Sequence, residues 1–299
     1  MNTETQKIRS SSSLRTRVFQ TILERSPPGQ ILPVCLGIAA APSAFLGSFH
    51  PVSFILGIIF TYSLLVQMRL GDEIKDYPKD ITINPNRPLP RGLLKVSEAK
   101  KSLQAILTLH LTSGLLISVA FPLAGIGLIL SALYVHLMYK EFYVGTFLAK
   151  DPMVYAVSHQ IVIYGVYGWV GAFLGIDFIA QPEFLAWLTA NLGASFAFEI
   201  SRKLNPSAHA LAGTYLHHYG PGITWTAIMS MIILSLASAS LGGFFAWTGP
   251  FLIMYALSTL LLFLKPDRYK VIEGMGILSA TAHLLFPLIR WIATQGAAL

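Results

Sequence analysis

The chain has 299 residues, of which 54% are hydrophobic and only 12% charged. Soluble domains carry about 25% charged residues, so this composition excludes a water-soluble globular protein and points to an integral membrane one. The net charge of +7 does not argue for nucleic acid, because the basic residues sit in short clusters between apolar runs, as membrane topology requires. One cysteine, Cys35, lies inside an apolar run, which excludes an intrachain disulfide and a cysteine metal site.

The first 29 residues contain no apolar run of signal-peptide type, and Glu4 and Glu24 interrupt the Arg- and Ser-rich start (Arg9, Ser10 to Ser13, Arg15, Arg17). A cytosolic tail at 1–29 is therefore expected. Within it, residues 14–25 put Leu14, Val18, Ile22 and Leu23 on one helical face among arginines, the pattern of an interfacial amphipathic helix. Apolar spans follow at 31–49, 52–68, 102–120, 122–139, 153–176, 184–198, 222–241, 244–264 and 274–289. A membrane helix needs about 20 apolar residues, and the sixth run reaches that length only by continuing past Glu199 to Leu204, before Asn205-Pro206. Pro122 marks the turn between the third and fourth spans.

The expected fold is thus an all-α membrane protein of nine transmembrane helices over residues 30–299. With a cytosolic N-terminus, every Lys and Arg except Arg290 falls on the cytosolic side, as the positive-inside rule demands. The C-terminus is then on the opposite side, and a bacterial inner membrane is the expected location.

Two polar loops stand out, after the second and the sixth spans. The first, residues 69–101, reads RLGDEIKDYPKDITINPNRPLPRGLLKVSEAKK. Asp72, Glu73, Asp76 and Asp80 crowd into nine residues, in a chain with 14 acidic residues in all. Such carboxylates repel one another unless a cation bridges them, and an all-oxygen set suits Mg²⁺ completed by substrate phosphates. Arg87 and Arg91 provide forked donors for phosphate oxygens. Pro78 is expected to end or kink the helix, leaving Asp80 in the loop.

DEIKDYPKD followed by NRPLPRG resembles the first Asp-rich motif of the UbiA-type intramembrane prenyltransferases, and the resemblance extends to nine helices with polar loops after the second and sixth. It implies a bundle whose central cavity opens to the cytosol. It also implies Mg²⁺-dependent transfer of a prenyl group from an isoprenyl diphosphate to a lipophilic or aromatic acceptor. On it, Asp72, Glu73, Asp76 and Asp80 would hold metal, and Asp76, Asp80, Lys140 and Glu199 would be catalytic. Tyr139-Lys140 is similar to a family segment whose lysine contacts the diphosphate. Arg87, Arg91, Lys140, Arg202, Lys203 and Tyr215 would serve that diphosphate.

The second loop departs from the family pattern. Residues 198–220, FEISRKLNPSAHALAGTYLHHYG, keep a downstream TYLHHYG resemblance but lack the second Asp-rich run. Either Glu199 and Asn205, with His209, ligate a second metal while Arg202 and Lys203 replace part of its charge, or the fold has turned to other chemistry. A membrane terpene cyclase and a non-enzymatic transporter are the alternatives. Tyr62, Tyr134, Tyr139, Phe142, Tyr143, Tyr155, Tyr164 and Tyr167 are candidates to steady an allylic cation. His159 and Glu141 are further candidates near the same face, while His110 and His283 suit neutral hydrogen-bonded roles within the bundle. Membrane lipid is the expected surrounding partner, and no nucleic acid or obligate protein partner is expected.

Overall fold

The computed structural model describes residues 13–208 and 214–296. Among these residues there is no strand, and most are helical, as the long apolar runs require. A bilayer leaves helices and closed barrels as the viable spanning structures, because each backbone polar group must be satisfied internally.

Helix α1 (Leu14–Arg25) starts on Ser13, whose hydroxyl accepts from the Thr16 backbone N–H at 3.2 Å. It does not lie free on a surface. Its polar side is buried: Arg17 forms a two-pronged ion pair with Glu98 at 2.9 and 3.0 Å and donates to the Leu93 carbonyl. Leu14, Phe19 and Leu23 stay exposed, available to an apolar surrounding.

Helices α2 (Pro28–Leu46) and α3 (Pro51–Ile83) form the first hairpin. Gly47, at φ 78°, closes α2 in the left-handed conformation that favours glycine. Helix α4 (Val96–Ala120) begins with the Glu98 carboxylate accepting from the Lys95 N–H at 2.8 Å, and it turns into α5 (Pro122–Tyr139) at Phe121, where Pro122 marks the boundary. These two helices come close at Gly114 and Gly125. A Cβ on Gly125 would lie 2.3 Å from the Gly114 carbonyl oxygen.

The fifth apolar segment is broken into α6 (Pro152–Gln160), α7 (Val162–Gly168) and a 3₁₀ stretch, Trp169–Leu174. Then follow α8 (Pro182–Ser201), α9 (Tyr215–Leu241), α10 (Phe245–Ser258) and α11 (Tyr269–Gly296). Eight segments are long and apolar enough to cross a membrane; α8 is a 20-residue helix that falls outside that set. Helix α9 breaks at Gly220, φ 73° before Pro221, so a short first section carrying Tyr215 and Tyr219 precedes the long one.

The first and last long helices pack together, with Gly37 of α2 against the Leu284 carbonyl of α11. An aromatic core of Phe45, Phe184, Trp187, Phe244 and Phe286 fills the space beside them. Polar groups at membrane depth find partners on neighbouring helices. His110 Nδ1 meets Gln67 Oε1 at 2.8 Å, and Gln67 donates to the Ala132 carbonyl. His283 meets the Ser279 carbonyl and the Ser235 hydroxyl. Both histidines therefore serve as interhelical ties of the expected kind. Leu116, Val119 and Leu241, at 74%, 85% and 84% exposure, mark surfaces that only lipid can cover.

Candidate active site

The polar ends of α3, α6, α8 and α9 meet at one end of the bundle, bringing the two loops singled out in the sequence together. Pro78 does not end α3, which continues to Ile83, so Asp80 lies on the helix and not in the loop expected for it. The proline removes one N–H from the ladder. Past it, Asp80 is fixed by Arg87, by the Asn84 amide at 2.7 Å and by its own carbonyl, which accepts from the Asn84 N–H.

At about 100° per residue, positions four apart drift by about 40°, so the four acids spread around an arc. Asp72 and Asp76, one turn apart at the outer edge, keep 41% and 25% of their side chains exposed. Asp72 lies 3.5 Å from Lys75 and Asp76 lies 3.0 Å from Lys79. Glu73 and Asp80 take the inner edge and are buried, paired with Arg25 at 2.5 Å and with Arg87. The expected convergence of all four on metal is not what the helix phase produces. Among the described residues, no three His, Cys, Asp or Glu side chains are gathered in one cluster.

Arg91, expected at the diphosphate, instead reaches Glu24 of α1 at 2.7 Å and the Asn86 carbonyl at 2.8 Å. Arg87 and Arg25 line a separate cleft of about 340 Å³. Lys140 caps α5 and stands 4.8 Å over the Tyr139 ring, away from every carboxylate of the site. Glu141 makes no ion pair with it.

The second loop keeps its basic residues at the mouth. Glu199, near the end of α8, is held by Arg202 and by Lys203 at 3.0 Å. Burial disfavours the Arg202 charge, but Glu199 beside it and Asp72 across from it more than offset this, raising its pKa. Asp72 and Arg202 are thus near enough for their charges to act on each other, without forming an ion pair. Asn205 does not reach Glu199; its Oδ1 accepts from the Ser207 N–H at 2.9 Å within a turn. Tyr215 is buried under Lys203, whose ammonium lies 5.5 Å from the ring centre, and its hydroxyl has no protein partner. His209 lies outside the described residues.

Lys75, which sequence reasoning passed over, joins the halves. It donates to the Tyr155 hydroxyl at 2.5 Å, and Tyr155 stacks on His159 with ring centres 4.0 Å apart. Phe142 meets His159 and Tyr134 edge-on at 5.7 and 5.3 Å. Its placement depends on a left-handed turn: Glu141, Phe142 and Tyr143 have φ of 49°, 53° and 59°, each costing roughly 1–2 kcal/mol for a residue with a Cβ. Strain of this kind persists where the surroundings over-determine it; here the ring contacts do so. Of the other aromatic candidates, Tyr62 ties α3 to the Ser26 carbonyl, Tyr164 pairs with Thr189, Tyr167 packs on Trp187 and Tyr143 is 76% exposed. The signal for Lys75 was its i,i+3 spacing from Asp72, which puts the two within reach on the helix surface.

The architecture has a relative among solved structures. The chain shares its fold with a digeranylgeranylglyceryl phosphate synthase in membranes. The alignment covers 90% of this chain and 99% of that one, at 17% identity and a TM-score of 0.59. No family model matches the chain, and no curated protein matches it in sequence.

A divalent cation fits a reduced donor set. Asp72 and Asp76 lie one turn apart, keep part of their side chains exposed and are paired with Lys75 and Lys79. Mg²⁺ commonly binds through one or two carboxylates completed by substrate phosphates and water. Glu73 and Asp80 do not fit, since their charges are already matched by guanidinium groups behind the helix.

Proposed function

We propose that the chain is a UbiA-type membrane prenyltransferase that uses an isoprenyl diphosphate and an unidentified lipophilic or aromatic acceptor. The contact of Lys75, beside Asp72 in the first loop, with Tyr155 of α6 carries this reading. It is supported by a fold shared with digeranylgeranylglyceryl phosphate synthase, a prenyltransferase of that type. In this reading α8 spans the membrane as the sixth of nine helices, the N-terminus is cytosolic, and a cavity opens at the polar end.

Arg69, Lys75, Arg202 and Lys203 surround Asp72, Asp76 and Glu199, leaving the mouth short of negative charge until a polyanion enters. The ammonium and guanidinium groups turn from these carboxylates to the diphosphate, where charge builds on the departing oxygen. Asp72 and Asp76 would hold Mg²⁺, which would supply further neutralisation of that charge. Tyr155, His159, Tyr134 and Phe142 form an aromatic wall that excludes water and offers ring faces to the allylic cation. Glu73, Asp80, Arg87 and Arg91 act behind the helix, fixing α3 to α1 and to the Pro-rich loop.

The test is incubation of purified protein with Mg²⁺ and geranyl, farnesyl or geranylgeranyl diphosphate, with and without lipid or aromatic acceptors. Diphosphate release that needs an acceptor supports transfer. Release without one, accompanied by a cyclic product, identifies a cyclase, the alternative that the acid-poor second loop makes possible. No release under any condition rejects both.

A further inference from the structure

Between the polar ends of α4 and α5 lies a cavity of about 120 Å³, lined by Lys100, Leu103, Gln104, His136, Tyr139 and Lys140. The helices run antiparallel, so Lys100 near the start of α4 and Lys140 at the end of α5 arrive at the same level. Gln104 and His136 stand one turn deeper. Among the described residues, neither Lys100 nor Lys140 has a carboxylate within ion-pair distance, whereas Lys75, Lys79 and Lys203 of the candidate active site each do. His136 Nδ1 is shielded from solvent and has no hydrogen-bond partner. None of Asp72, Asp76, Glu199, Arg202 or Lys203 lines this cavity.

Two unmatched ammonium groups, an amide and an unsatisfied imidazole nitrogen call for a polyoxygen anion. The flank of the cavity indicates which source supplies it. Deeper along α5, Leu130, Leu133 and Leu137 are exposed on the side of the helix that carries Lys140, forming an apolar wall that lipid must cover. Tyr139, packed against Gly71 of α3, stands at the boundary between this wall and the polar end, where amphipathic rings settle at headgroup level. A free phosphate would use only the upper half of this arrangement; a lipid phosphate uses both. Basic pockets between membrane helices are suited to such headgroups.

We infer that the α4–α5 cavity binds the phosphate of an anionic membrane lipid, with its acyl chains along the apolar wall, separately from the candidate active site. Lys140, which the sequence suggests for the substrate diphosphate, serves this lipid.

The full chain in detergent would be titrated with phosphatidylglycerol or phosphatidylcholine and the adducts counted by native mass spectrometry. Phosphatidylglycerol is expected to bind in preference to phosphatidylcholine. Lys100→Ala should weaken it about fivefold, Lys100→Arg should retain it, and Lys265→Ala, at an exposed lysine elsewhere on the polar end, should leave it unchanged. Lys100 is exposed, and unchanged thermal melting would show that its variants fold. Equal affinity in wild type and Lys100→Ala, equal retention of the two lipids, or equal losses in Lys100→Ala and Lys265→Ala would overturn the proposal. So would displacement of phosphatidylglycerol by equimolar inorganic phosphate, which would make this a free-phosphate site.

Discussion

Replacing Arg25 by alanine isolates the charge network behind α3. The Glu73 side chain is fully buried, and Arg25 Nε lies 2.5 Å from it while keeping 25% of its own side chain exposed. Stranding a buried charge costs roughly 3–5 kcal/mol. The partial exposure of Arg25 and the remaining field of Arg87 reduce this to about 2–3 kcal/mol, or roughly 30- to 150-fold in the opening equilibrium. Cys35, the only cysteine in the sequence and 0% exposed on α2, supplies the assay, because a thiol-reactive dye labels it only when the bundle opens. Arg25→Ala should therefore be labelled faster by about that factor. The double variant Arg25→Ala/Glu73→Gln, which removes both charges, should recover to within about 1 kcal/mol of wild type. If Arg25→Ala is labelled at the wild-type rate, or the double variant is labelled no more slowly than the single one, the pair does not hold the helices.

Asp76→Asn should abolish product formation while leaving Cys35 labelling unchanged; normal turnover by this variant would remove Asp76 from the mechanism. Lys75→Ala should lower kcat by about 10²–10³, the cost of losing one donor that stabilises developing charge, and Tyr155→Phe should fall between it and wild type. Gly37→Ala would place a Cβ 2.0 Å from the Leu284 carbonyl oxygen and should destabilise the α2–α11 contact by about 1–3 kcal/mol, measured as a lower detergent melting temperature. The Tyr219 hydroxyl, with the Val154 and Met153 N–H groups, holds the Asp151 carboxyl below its ordinary value of 3.8. A depressed carboxyl stabilises the fold above its unfolded pKa and loses that contribution as pH falls through the folded one. Wild type should thus lose stability below about pH 4 more steeply than Asp151→Asn, and parallel melting curves would refute this.

Eight of the nine expected spans and the turn at Pro122 were legible because each is a local contrast between an apolar run and its boundary; the sixth, carrying Glu199 near its end, is the one that falls short. The convergence of the two polar loops followed from topology alone. The orientation of the acids on α3 was not legible. Asp72, Asp76 and Asp80 look like one face at i, i+4, i+8 spacing, yet the accumulated drift turns Asp80 toward Arg87, and only the presence of Arg25 behind the helix explains the inward Glu73. Pro78 reads as a stop signal, but contacts made by Asp80 beyond it carry the helix another turn. Lys75 was hidden because a lysine among aspartates looks like solvated charge until Tyr155 arrives from another segment. The left-handed turn at 141–143 had no signal, since none of its residues is glycine.

The tie between α1 and α3 also bears on how the chain is made. Arg25 leaves the ribosome well before Glu73, and Arg17 well before Glu98. Neither bond can close until α2 and α3 have been inserted and the Pro-rich loop has emerged behind them. Docking of α1 therefore reports that the first hairpin is complete and correctly oriented. A chain whose α3 enters the bilayer the wrong way round would leave Arg17 and Arg25 without their partners, exposing a loose basic helix to quality-control proteases.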